Sequence, residues 1–316
     1  MTTRRKSGSG KRGARGPRGR SIPEEDSMSS IKLRAVVALS GLALACAVNA
    51  QQAAAPKQAA AQTKKASSAP KDAVTAEFEK FREMMEDASP AELFEAKGEE
   101  LWKAKRGPKN ASLEQCDLGL GPGVLQGAYV RMPRYFADTG EVMDVERRIV
   151  YCMVTLQGLN AEDLAKQPFS SESGTPDPVS LVTYVAGQSR GMKIAVPQKH
   201  PKEREAYNVG RQMFNFRAGA WDFSCASCHG EDGKRIRTQE LPNLTSKEDA
   251  VRAFQGWPGY RMTGGLMHTL QWRMNDCFRQ QRFPEPGYAS ETIADLLTYM
   301  GVNANGHVYK GPGIKR

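Results

Sequence analysis

The 316-residue chain lacks an apolar run long enough to span a membrane comfortably. Its extended hydrophobic stretch, AVVALSGLALACAV, covers only residues 35–48, whereas a spanning helix needs about 20 apolar residues. An internal sequence repeat is also missing, although two similar folds without shared motifs would leave no such trace. Lasting charge of one sign is scarce. The formal net charge is +10, yet residues 1–50 carry ten Lys/Arg against three Asp/Glu and so hold +7 of it. About +3 stays with the remainder, which is no footprint for nucleic-acid binding. Cysteine numbers only six, and that small set carries most of the functional signal.

The hydrophobic stretch follows Ile31-Lys32-Leu33-Arg34 and runs into Val48-Asn49-Ala50. A basic segment, a short apolar core and a small-residue site read as a secretory signal over 28–50, cleaved after Ala50. Met28 stands where such a signal starts, so residues 1–27 read as a misassigned start or a disordered leader. Arg4-Arg5 lies too far from the apolar core for a twin-arginine signal. Cys46 allows an acylated lipoprotein, but Ala43 stands where a lipobox wants Leu. A small apolar residue in a discarded peptide is the expectation. Export places the mature chain in the periplasm with no stable membrane span. Five cysteines then remain: Cys116, Cys152, Cys225, Cys228 and Cys277. In an oxidising compartment an odd count means an intermolecular bridge or a free reactive thiol.

Residues 51–73 are rich in Ala, Gln, Lys, Ser and Pro without bulky apolar residues, and read as a flexible tether. Order is expected from Val74. Phe78, Phe81, Met84 and Met85 recur at helical spacing, and AELFEAKGEELWKA follows with Ser89 as N-cap and Pro90 at the first helical position. Gly and Pro punctuate residues 110–200, predicting short helices and irregular loops rather than a sheet. There RRIVYCMVTLQGL fits a strand or a buried helix equally well. A new unit begins near Pro201, where KEREAYNVGRQMFNFRAG predicts a helix leading directly into a cysteine pair. ASETIADLLTYMG, residues 289–301, predicts a helix capped by Ser290 with Ile293, Leu296, Leu297 and Met300 on its apolar face. Gly301 is its expected end. The chain reads as mainly α.

Cys225-Ala226-Ser227-Cys228-His229 is a CxxCH motif, the attachment signature for c-type haem. The two thiols form thioethers to the porphyrin, and the adjacent His229 is held under the iron as an axial ligand. Zinc would want a second pair or further His nearby, and a redox CxxC would sit in a βαβ pattern. Both are missing, so one covalently bound haem c is the reading.

The second axial ligand stays open among Met262, Met267, His268, Met274 and Cys277. Spacing alone makes a Met the default, and Met262 and Met267 lie in the Gly-rich YRMTGGLMHTL. Ligation by Met262 or Met274 implies a simple periplasmic electron-transfer cytochrome c. Cys277 competes as a thiolate, which lowers the potential and makes a poor electron carrier. Arg273, four residues earlier, shares its face on a helix. A neighbouring guanidinium favours the thiolate and binds anions, and Arg279 and Arg282 add positive charge nearby.

CASCH, the later RMNDC and the intervening GWPGYRMTGG together resemble the SoxA family, the catalytic subunits of the SoxAX cytochrome of periplasmic sulfur oxidation. The resemblance covers roughly residues 74–307. It implies two tandem cytochrome c-like domains, here 74–200 and 201–316. Many members carry a second CxxCH in the first domain; this chain has none there and resembles the single-haem branch. In that branch a disulfide replaces the lost haem, a role that falls to Cys116 and Cys152. The resemblance also implies that Cys277, as thiolate or persulfide, ligates the iron with Arg273 beside it. The implied activity is that of an L-cysteine S-thiosulfotransferase. Thiosulfate is joined oxidatively to a cysteine of the carrier SoxYZ, and two electrons pass to haem. They leave through the partner subunit SoxX to a downstream cytochrome c.

Overall fold

Apolar residues at helical spacing form helices on both sides of the Gly/Pro-rich middle, and the short extended pieces pair in three small sheets. The computed structural model describes residues 80, 84, 85 and 89–315, apart from 171–173, 237 and 238. The expected leader (1–27), secretory signal (28–50) with Cys46, and tether (51–73) lie outside the described residues, as do Phe78 and Phe81. Met84 and Met85 are helical.

In chain order the first half comprises α1 (Ala91–Lys103), β1 (Arg134–Phe136), β2 (Glu141–Met143), α2 (Val145–Thr155), α3 (Ala161–Ala165) and α4 (Asp177–Gly187). The second comprises α5 (Pro201–Asn215), α6 (Cys225–His229), β3 (Arg235–Ile236), β4 (Gln239–Glu240), α7 (Lys247–Phe254), β5 (Gly259–Arg261) and β6 (Leu266–His268). It ends with α8 (Leu270–Gln280), α9 (Glu291–Asn303) and β7 (Gly313–Lys315). β1 pairs antiparallel with β2 in the register Tyr135 to Val142, and β3 pairs likewise with β4. β5 runs antiparallel to β6 and parallel to β7, forming a three-stranded sheet. The Gly-rich YRMTGGLMHTL is therefore a hairpin and the start of a helix.

The ambiguous RRIVYCMVTLQGL resolves as helix α2, because Asp144 caps it by accepting the Arg147 N–H at 2.7 Å. Ser290 caps α9 as expected, accepting the Ile293 N–H at 3.4 Å. Ser89 Oγ accepts the Ala91 N–H at 3.3 Å, with Pro90 one residue ahead of the helix rather than inside it. Two boundaries differ from expectation. α5 stops at Asn215, where Phe216 turns extended, so residues 216–224 separate it from the cysteine pair. α9 continues past Gly301 to Asn303, because Gly301 is buried in contact distance of Val196 and Phe254 and packing holds the last turn.

The same helix crossing is built twice. A Cβ on Gly98 of α1 would lie 2.1 Å from the Ser180 carbonyl oxygen and 2.6 Å from Tyr184 Cβ on α4. A Cβ on Gly210 of α5 would lie 2.0 Å from the Asp295 carbonyl oxygen and 3.0 Å from Tyr299 Cβ on α9. Only glycine permits backbones this close. Four residues after each glycine stands a buried aromatic, Trp102 and Phe214.

Both crossings feed one contiguous apolar core, which includes Ile149, Met153, Leu181, Phe214, Ile293 and Leu296. Polar links also run between the halves. Glu203 closes the capping box at the start of α5 and accepts the Tyr135 N–H at 3.1 Å. The Tyr129 and Tyr309 hydroxyls both donate to the Trp257 carbonyl, at 3.1 and 2.8 Å. In the first half a disulfide joins Cys116 to Cys152 of α2, with a Cα–Cα distance of 5.7 Å.

Candidate functional site

Helix α6 is a single turn, held at its start by a reciprocal pair of serines. Ser224 Oγ accepts the Ser227 N–H at 3.2 Å, and Ser227 Oγ accepts the Ser224 N–H at 3.0 Å. The spacing i, i+3 and i+4 puts Cys225, Cys228 and His229 on one face of that turn. All three are half-buried. His229 Nδ1 and the Pro242 carbonyl are 2.8 Å apart. A carbonyl can only accept, so Nδ1 carries the proton and Nε2 keeps its lone pair for a metal. Burial holds the His229 pKa below the usual value, so the ring is neutral, the ligating form. The loop bearing Pro242 is itself held: the Asn243 N–H donates to Asp249 at 2.6 Å and Asn243 Nδ2 to Asp232 at 2.8 Å.

Helix α8 supplies the other side. Thr269 caps it by accepting the Trp272 N–H at 3.2 Å. Arg273 Nη1 donates to Asp276 Oδ2 at 2.9 Å, and Asp276 also accepts from Arg279 and from Gln280 Nε2 at 2.7 Å. Burial raises the Asp276 pKa, but the Gln280 hydrogen bond and the two arginines outweigh it and leave the carboxylate ionised. Burial pushes the Cys277 thiol up, Arg273 partly offsets this, and the charges of Asp276 and Cys228 add to the rise. The guanidinium therefore favours the thiolate as expected, but burial is the larger effect. Cys225 is pushed up to about 12, first by burial and then by the charge of Cys277. Arg273 likewise acts on His229.

These mutual influences place Cys277 and Arg273 within electrostatic reach of Cys225, Cys228 and His229. The other candidates sit differently. Met262 is 42% exposed beyond β5, while Met267 and Met274 belong to the core. His268 packs on Trp272 at 3.8 Å, with its pKa lowered to about 4 by burial. Arg282 lies over the Trp221 ring at 5.5 Å, and Arg279 is engaged by Asp276. Cys116 and Cys152 form the disulfide in the first half. Sequence reasoning missed three contributors. Ser224 was detectable as a cap-type residue just before the motif, and Asp276 as an acid three residues after Arg273. Pro242 acts through its backbone carbonyl, which no side-chain pattern reveals.

The donor set fits a c-type haem. It offers two thiols on one turn, a neutral imidazole whose free nitrogen is fixed by its partner, and a third cysteine on a second helix within electrostatic reach.

Comparison with known proteins agrees with this geometry. Residues 97–194 match a family described as SoxA/TsdA, cytochrome c domain. The chain is 49% identical over 240 residues to the L-cysteine S-thiosulfotransferase subunit SoxA of Hydrogenophilus thermoluteolus, covering 76% of this chain and 87% of that one. It is 35% identical over 228 residues to a protein of the same description from Hydrogenobacter thermophilus, covering 72% and 82%. Among solved structures it is similar to SoxXA from P. pantotrophus, with a TM-score of 0.59 and 26% identity over 72% of this chain and 79% of that one. On this likeness in sequence, fold and site, the chain belongs to the SoxA family.

Proposed function

We propose that this chain is the SoxA subunit of an L-cysteine S-thiosulfotransferase, joining thiosulfate to a cysteine of the SoxYZ carrier. What supports the mechanism is that the charge of Cys277 acts on Cys225 and that of Arg273 on His229, so both lie within electrostatic reach of the CxxCH turn. Cys225 and Cys228 would hold one haem c covalently, and His229 Nε2 and Cys277 would donate to its iron. When bound, that haem supplies the one-electron acceptor that passes electrons to SoxX and on to a downstream cytochrome c.

The chain's own residues do the rest. Arg273 presents five N–H donors, of which one meets Asp276; the remainder bind the sulfonate oxygens of thiosulfate and offset their charge. The Cys277 thiolate and the outer sulfur of thiosulfate form an S–S bond, giving Cys277–S–S–SO₃⁻ and releasing two electrons. The carrier thiolate then attacks the outer sulfur. That S–S bond breaks, the carrier leaves with S–SO₃⁻, and Cys277 returns as thiolate. Burial opposes the free thiolate, so ligation to a metal, which deprotonates a thiol outright, suits this site.

The reading includes two tandem cytochrome c-like domains, at 74–200 and 201–316, with haem only in the second. The doubled glycine crossing supports it. So does the match of a cytochrome c family to residues 97–194, which contain no CxxCH. The Cys116–Cys152 disulfide would take the constraining place of the absent haem. A heterodimer with SoxX is supported by the likeness to SoxXA, and the setting is the periplasm. Among the described residues no helix is long and apolar enough to cross a membrane.

The test is replacement of Cys277 by Ser in the haem-loaded protein, with thiosulfate and SoxYZ supplied. Thiosulfate-dependent electron release should disappear, and full turnover in that variant would reject the mechanism.

A further inference from the structure

Away from the cysteines, two buried carboxyl groups face the start of the helix that carries Arg273 and Cys277. Asp144 and Glu146 are each 2% exposed. Asp144 caps α2 and also accepts Gln271 Nε2 at 2.6 Å. The backbone of the same Gln271 also bears on the Glu146 carboxyl, drawing its pKa down against burial. Gln271 is fully buried in the first turn of α8. Its Oε1 accepts the Ala289 N–H at 2.8 Å, just ahead of α9. One side chain therefore ties together the beginnings of α2, α8 and α9.

Burying carboxyl groups is costly unless they are hydrogen-bonded. Here the positive ends of two helices, α2 and α8, meet at the pair and offset part of that cost. Burial still raises Asp144 to about 6 and Glu146 well above the usual carboxyl range. Among the described residues Glu146 Oε1 has no hydrogen-bond partner, and Glu146 helps line a cavity of about 20 Å³ together with Tyr129, Asp144, Leu270 and Leu297. That volume has room for one water. Buried charged groups often contribute little net stability over an apolar contact, but the bonds made by Gln271 are directional and tie α8 to α2 and α9.

We propose that Asp144 and Glu146 are positioning residues for Cys277 and Arg273, acting through Gln271 to fix the pose of α8 against α2. Cys277 lies six residues beyond Gln271, about 9 Å along the helix. A pivot of about 10° at Gln271 would displace Cys277 by about 1.5 Å, and misplacement by ~1 Å can cost a reaction on the order of a hundredfold. The clamp thus links the helix bearing disulfide Cys152 to the helix bearing Cys277.

The inference rests on the proposed ligation by Cys277 for its spectroscopic readout, but the clamp has a readout of its own. Hydrogen exchange is measured on the haem-loaded protein for Gln271→Leu, Glu146→Leu and Glu146→Gln. The two leucine variants should raise exchange across the α8 amides roughly tenfold, with α5 amides at wild-type rates. Glu146→Gln keeps a polar side chain of the same shape beside Gln271 and should leave exchange at the wild-type rate. In parallel, the low-spin ferric electron paramagnetic resonance signal should shift or split in the leucine variants and not in Glu146→Gln. Unchanged α8 exchange in both leucine variants overturns the clamp, and raised exchange with an unaltered ferric signal overturns its role in placing Cys277. Cys277→Ser is the control: a wild-type signal there overturns the ligation reading and leaves the exchange result to judge the clamp.

Discussion

Arg273 and Asp276 are joined by an ion pair of 2.9 Å, one turn apart on the helix that also carries Cys277. Asp276 is the buried partner, 6% exposed against 29% for the arginine side chain. The carboxylate therefore anchors the guanidinium, whose other N–H groups would meet the sulfonate in the proposed mechanism. Asp276→Asn keeps the shape but removes the charge, releasing Arg273 from its anchor. A charge-assisted hydrogen bond is worth about 1.5–3 kcal/mol. KM for thiosulfate should therefore rise roughly tenfold or more, with kcat falling less. Steady-state kinetics with SoxYZ present give the split, and an unchanged KM would remove Asp276 from the substrate site. Arg273→Lys should lose more, because a point charge cannot replace the planar fork.

Cys116 and Cys152 are 1% and 2% exposed and bridge a sequence separation of 36. Chain entropy for a loop of that length gives about 3–4 kcal/mol. Replacing both by Ser should lower Tm by about 10 °C while the haem spectrum stays as in the parent. Thermal melts followed by circular dichroism provide the check. A Tm equal to the parent's would show that the first half is not held by this bridge.

Legibility in the sequence followed how local each cause is. CxxCH is readable because covalent attachment and ligation fix the spacing of Cys225, Cys228 and His229. α9 is readable because Ile293, Leu296, Leu297 and Met300 keep helical period. Its last turn was not, since Gly301 signals an end and only distant Val196 and Phe254 overrule it. The end of α5 is not readable because FNF carries no breaker before Ala218 and Gly219, yet the backbone already turns extended at the exposed Phe216. The doubled crossing left almost no sequence trace. Only glycine, an aromatic four residues later and a tyrosine on the facing helix recur, too few positions to register as a repeat.

Those two crossings make matched predictions. Gly98→Ala and Gly210→Ala each gain helix propensity of about 1 kcal/mol. Each also drives a Cβ to within 2.1 or 2.0 Å of a backbone carbonyl oxygen that cannot swing away. The clash should win, with a net loss of about 1–3 kcal/mol. Both variants should melt several degrees lower. Only Gly210→Ala should disturb the haem spectrum, because α5 packs against the CxxCH turn. A spectrum equally disturbed by Gly98→Ala would mean that the first crossing also bears on the haem site.

Asp295 makes stability depend on pH. It sits on α9 at 7% exposure, its carboxyl pKa raised from 3.8 to about 7. Burial is the main cause, the nearby charges of Glu291 and Glu205 add to it, and Arg147 partly offsets it. The folded state therefore holds a proton that the unfolded chain releases near 3.8. The resulting stabilisation is complete below pH 3.8 and is lost progressively as pH climbs through about 7. Asp295→Asn has no such proton to lose and keeps a similar shape. Measured against the parent, its Tm should be near equal at pH 4 and higher by a few degrees at pH 8. A constant Tm difference between the two proteins across that range would mean that Asp295 is ionised in the folded state throughout.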